Sequence, residues 1–350
     1  MKQISYVILP LFFFSHISNA QWVKQNSSTT SNLFDIEFIN SSTGFAVGAN
    51  GTVLKTSDGG TNWQLKPKPA EDDLVSLTVI DSLNVFVGTS GKPAIYRSTD
   101  GGNSWKSVLT DLIPFHITHT PDNRLFGVSR EIYSSNTNGS TWQPVATVNS
   151  TSNYFHISFA NNKTGMAAGN ISGFATYSAD FLRTFDGGNR WYHNDPFKFP
   201  NANGFTAMNF LNADTVFMFT NFYNRFSEGD SSQLLLLHDF RLRNVDSSVV
   251  FKDNIVVKSF PDKIRDCKFF ETKVAYAAGD KGIIYRSKDG GLNWKPDYKG
   301  KNMLHALYMF NEKSGFAVGD NGVILKRSNT EPQPQRQQMQ KGFPVVSSEE

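Results

Sequence analysis

Four copies of one pattern set an aspartate before two glycines and a tryptophan: Thr56 to Trp63, Ser98 to Trp105, Thr184 to Trp191 and Ser287 to Trp294. Carboxylates at a fixed spacing invite two chemistries, calcium ligation and acid catalysis. Calcium takes about six to eight oxygens, and one carboxylate per turn brings no companions. Turn mechanics account for the same residues: paired glycines supply positive φ, the aspartate accepts from the turn's own amides, and the tryptophan covers the neighbouring sheet. Asp58, Asp100, Asp186 and Asp289, with Trp63, Trp105, Trp191 and Trp294, are therefore expected to be structural.

Other chemistry is sparse. The chain has no Gly-x-Ser-x-Gly, His-Glu-x-x-His or phosphate-binding loop. His116 and His119 fall three apart on a strand, where their rings point to opposite faces, so they are not a metal pair. Cys267 is the sole cysteine, which rules out an internal disulfide, and it sits in an innermost-strand position equivalent to Ile36 and Ile157, where a buried apolar thiol is expected. A formal charge of +3 with dispersed basic residues argues against nucleic acid or an anionic membrane as partner. No catalytic residue, metal or cofactor is expected.

The elements that carry these residues repeat. The first unit reads as alternating Phe34-Ile36-Phe38, then Thr43-Gly44-Phe45-Ala46-Val47-Gly48, a turn at Asn50-Gly51, Thr52-Val53-Leu54-Lys55, the Asp-Gly-Gly turn and Trp63. That is four short strands joined by tight turns. The second strand recurs to give seven units, which predicts an all-β, seven-bladed β-propeller of four-stranded antiparallel blades. The third unit keeps a worn turn, Ser135 to Trp142, and the fifth has lost it. The seventh stops after Val323-Ile324-Leu325-Lys326 with no outermost strand, whereas Gln21-Trp22-Val23-Lys24 precedes the first unit and resembles the Trp63 and Trp294 strands. The N-terminal strand is thus expected to close the ring, removing an exposed edge.

Residues 1–20 read as a secretory signal peptide cleaved after Ala20, residues 21–330 as the propeller, and residues 331–350 as a disordered polar tail. The exported protein is expected in the periplasm, the cell envelope or outside the cell, as a monomer with no membrane span.

Function is sought where the copies differ. Aligning the innermost strands gives one column of Asp35, Ser76, His116, His156, Ala207, Asp266 and Ala306 beside the central channel, of which Asp35, His116, His156 and Asp266 are candidate ligand contacts. Between second and third strands the fourth unit inserts Ile171 to Asp180 and the fifth Asn221 to Asp230, and the link Asp195 to Pro200 joins the same two units. These segments present Phe174, Tyr177, Phe197, Phe199, Phe222, Tyr223 and Arg225 as candidates for binding a peptide or a glycan, since rings stack on either and guanidinium pairs with carboxylate.

The turns and the Thr43 to Gly48 strand resemble Asp-box, or bacterial neuraminidase, repeats, and in particular the photosystem II assembly factor type of propeller, over residues 21–330. The resemblance implies that the boxes lie on the face opposite the ligand site. Sialidases of this fold use an arginine triad, a tyrosine-glutamate pair and an Arg-Ile-Pro signature. No Arg-Ile-Pro occurs here, the first unit has no arginine, and Arg124, Arg130, Arg225 and Arg265 bear no fixed relation to such a pair. Xyloglucan hydrolases of this type pair two propellers, and the chain has length for one. The expectation is a non-catalytic scaffold that binds a protein or peptide through one face; the alternative is a carbohydrate-binding or glycan-hydrolysing propeller.

Overall fold

A computed structural model describes residues 21–328 except 93, 111–114, 148–151, 173–176, 194–201, 223–230 and 243–248. Seven four-stranded antiparallel sheets form blades 1 to 7 over residues 33–65, 74–110, 116–147, 152–193, 202–260, 264–299 and 304–328. Each innermost strand touches the next, including that of blade 7 against blade 1, so the ring is closed.

Closure uses the predicted strand. Gln21–Gln25 pairs antiparallel with Ile324–Ser328 as the outermost strand of blade 7. Trp22 is buried there, donates from Nε1 to Asp297 at 2.9 Å and meets the Tyr276 ring edge-on. Arg327 lies over both rings and pairs with Asp297, joining blade 6 to the latch.

The box turns work as mechanics require. In the first, Asp58 accepts from the Thr56 hydroxyl at 2.9 Å, the Asn62 amide at 2.9 Å and the Asn62 side chain at 2.7 Å. These donors hold the exposed carboxyl down at about 2. Gly59 and Gly60 take φ of 68° and 78°. A Cβ at Gly60 would stand 2.5 Å from the Phe316 ring of the preceding blade, so the second glycine also permits close stacking. The worn third turn keeps the geometry with the Thr137 hydroxyl in place of the carboxylate.

Blade cores are apolar layers between adjacent sheets; that between blades 7 and 1 contains Leu33, Ile36, Phe38, Ala306 and Phe316. Cys267 is buried in the layer between blades 5 and 6, as expected. Two expectations of loop change. Gly165–Ser172 and Tyr177–Thr184 continue the blade 4 ladder through most of the predicted insertion, pairing as far as Ser172 with Tyr177, and Thr215–Phe222 carries Phe222 in the blade 5 ladder. Extended backbone that finds a partner strand satisfies its polar groups in the ladder rather than in a loop.

Candidate functional site at the channel mouth

Every innermost strand starts at the end of the ring where second and third strands are joined: Leu33 pairs with Gly48, and Ala49 donates to the Asn32 carbonyl. The box turns close at the opposite end, where Gly59 donates to the Ser42 carbonyl. The connecting loops and the first residues of the innermost strands therefore share one face, and the boxes occupy the other.

On the loop face the innermost strands share a defect. The ladder slips by one residue between Leu33 and Asp35, Leu74 and Ser76, Tyr154 and His156, Phe205 and Ala207, Ile264 and Asp266, and Leu304 and Ala306. In blade 3, Phe115 donates to the Val128 carbonyl while His116 is its ladder partner. A bulge leaves one residue unpaired and re-aims its side chain. The bulged residues are Phe34, Val75, Phe115, Phe155, Thr206, Arg265 and His305; all are half-buried. All but Val75 and Thr206 among them are rings or cations, and all seven line one cavity of about 530 Å³ at the channel mouth.

The predicted column lies one residue further along, and the same cavity gathers Asp35, His116, His156 and Asp266. Its members clasp blade to blade. Asp35 accepts from the Leu77 amide at 2.7 Å, Ser76 from Ile117 at 2.8 Å, His116 Nδ1 from Ile157 at 3.5 Å and Asp266 from Leu307 at 2.7 Å. Each acceptor serves the next blade about one repeat later. The two alanines explain the two aspartates. Ala207 and Ala306 offer no acceptor to the Cys267 and Ile36 amides, so Asp266 and Asp35 take these with their other oxygen, at 2.7 and 2.8 Å. One carboxylate thus caps its own strand and clasps the next.

Desolvation in the narrow channel sets the charge. It raises Asp35 to about 7 and Asp266 to about 6, and lowers His116 to about 4 and His156 to about 3, so both rings are neutral. Glu37, deeper on the same wall, accepts from the Val79 amide and is pushed up to about 8 by burial and then by Asp35. On the polar side Asp280 holds Arg265 through Nε at 2.5 Å and a terminal nitrogen at 3.1 Å, and Asp320 holds His305 at 2.8 Å. No set of three or more metal-ligating side chains occurs among the described residues. His116 turns to blade 4, and His119 turns to Thr78 of blade 2, as their spacing requires.

Phe174, Phe197, Phe199, Tyr223 and Arg225 lie outside the described residues, as do the side chains of Tyr177 and Phe222. Sequence reasoning missed six of the bulged residues and named Arg265 only among arginines. The signal was present: Leu33-Phe34, Leu74-Val75 and Tyr154-Phe155 each break the period-two alternation by setting two apolar residues side by side.

Known proteins agree with this architecture. The photosystem II stability/assembly factor HCF136, chloroplastic, of Arabidopsis thaliana is 27% identical over 326 residues, covering 84% of this chain and 75% of the relative. Among solved structures, YCF48 from Cyanidioschyzon merolae matches with a TM-score of 0.65 and 23% identity over 88% of this chain and 99% of that one. A structure of YCF48 bound to D1 peptide matches with a TM-score of 0.65 and 17% identity over 88% of this chain and 96% of that one. At such identities the two structures speak to the fold. The family model described as photosynthesis system II assembly factor YCF48 matches residues 14–116 and 239–328, more than half of the chain, and the chain belongs to that family.

Proposed function

We propose that this is an exported, non-catalytic propeller that binds a segment of a partner protein at the loop face, in the manner of an assembly factor. The carrying observation is the bulge ring: seven blades each spend one residue of their innermost strand on a common cavity instead of a blade core. The curated relatives are named as assembly factors, and a fold relative was solved with a peptide bound. Among the described residues, both carboxyls that line the cavity, Asp35 and Asp266, have their oxygens engaged by backbone amides, which supports binding over glycan hydrolysis by a free carboxylate pair. The proposed scaffold face extends to the loops bearing Tyr223 and Arg225. The reading is tested by affinity capture from the native cell envelope with the full chain. A protein retained by the wild type and released by Thr206→Trp, which plugs the mouth, supports it. Retention indifferent to the plug, or turnover of a glycan substrate by the purified chain, overturns it.

A further inference from the structure

Polarity is segregated around the mouth. The bulge positions of blades 1 to 4 hold Phe34, Val75, Phe115 and Phe155, whereas those of blades 5 to 7 hold Thr206, Arg265 and His305. None of the four apolar side chains belongs to the core layers, which take their neighbours Leu33, Leu74, Ile117 and Tyr154 instead. Contiguous apolar side chains outside the core mark contact sites. The Phe115 and Phe155 rings stand 4.9 Å apart, and beside them the His116 and His156 rings, 5.9 Å apart, are uncharged. Charge in the lining is largely compensated: Arg265 is already paired with Asp280, and Lys263 shares the cavity with the carboxyls of Asp35 and Asp266, which burial holds partly protonated near neutral pH.

We propose that the mouth anchors a partner protein by one large uncharged apolar side chain of an extended segment, seated against Phe115 and Phe155, with the segment's main chain toward Thr206 and Arg265. The inference rests on the protein-binding reading and names its specificity. A cavity of about 530 Å³ suits a side chain and its flanking backbone, not a folded surface. Balanced charge selects against acidic and basic residues alike and leaves little for salt to screen.

The test uses the full chain and blocked peptides Ac-Gly-Ser-Xaa-Ser-Gly-NH2. With p-benzoylphenylalanine at Xaa, irradiation is expected to cross-link the peptide to protein segments carrying Phe115 or Phe155. Tryptophan peptide should compete about tenfold better than lysine or glutamate peptide, and by a factor that changes less than about threefold between ~50 and ~500 mM NaCl. Phe115→Ser with Phe155→Ser should abolish the adduct while leaving the melting temperature within about 2 °C of wild type, since neither side chain is in a core. Adducts elsewhere, preference for a charged peptide, a steep salt dependence, or selective binding of an oligosaccharide in place of peptide would overturn the proposal. Release of the captured partner by Thr206→Trp but not by the double serine variant would sink the apolar anchor and leave the protein-binding reading standing; release by neither would sink the reading itself.

Discussion

Replacing Asp35 by alanine removes two hydrogen bonds that no neighbour can restore. Its oxygens accept from Ile36 at 2.8 Å and from Leu77 at 2.7 Å, and Ala306, the residue that would otherwise serve Ile36, has no acceptor. An amide left without a partner away from water costs about 1–3 kcal/mol, so two cost about 2–6 kcal/mol. Ser76→Ala strips one amide, that of Ile117, and is expected to cost about half as much. For a chain of this length such a loss lowers Tm by about 3–9 °C for Asp35→Ala. Calorimetry on wild type, Asp35→Ala and Ser76→Ala gives the comparison directly. A Tm for Asp35→Ala within 1–2 °C of wild type, roughly the noise of a surface substitution, would refute the double-clasp reasoning. So would a larger fall for Ser76→Ala than for Asp35→Ala.

Other consequences can be checked alongside. Asp35, Asp266 and Glu37 have folded values of about 7, 6 and 8, above their unfolded ones; their contribution is complete at acid pH and lost as pH rises through that range. His116 and His156, depressed to about 4 and 3, act oppositely and only below their unfolded value of about 6.5. Between about pH 6.5 and 8 the carboxyls act alone, so the urea midpoint should fall as pH rises and Glu37→Gln should flatten the slope; a rising midpoint contradicts this assignment. Gly290→Ala, with open space around its Cβ, should cost only the strain of φ 76°, about 1 kcal/mol, whereas Gly60→Ala also collides with Phe316 and should cost several times more by denaturant titration. Trp22→Ala should cost about 3–5 kcal/mol and raise amide hydrogen exchange in Gln21–Gln25 before other strands, because the latch rests on that ring's contacts with Asp297, Tyr276 and Arg327.

The fold was legible because each turn must solve the same steric problem. Asp-Gly-Gly with a following tryptophan closes a tight turn against a neighbouring sheet, and the solution is written in residue types that little else would select. Ring closure was legible for the complementary reason: a blade lacking an outer strand, and a stray Trp22 strand at the other end of the chain. The site was half legible. Strand alternation placed the clasp column on the innermost strands, and the bulged residues that line the same cavity stand one position earlier. A bulge imposes no residue type on its extra member, so Phe34, Arg265 and His305 share no signature beyond the broken alternation around them. Chemistry read from types alone could not separate the two rings either, because a carboxylate in the column gives no sign in the sequence that its oxygens also accept from backbone amides, as those of Asp35 and Asp266 do.

On the proposed reading the loop face, through its channel mouth, meets a protein. The most direct measurement places p-benzoylphenylalanine at position 155 of the full chain, and separately at the exposed position 292 on the box face, and irradiates the native cells. A discrete protein adduct is expected at position 155 and none at 292. An adduct at 292 alone, or none at 155 in cells that make the chain, would contradict it.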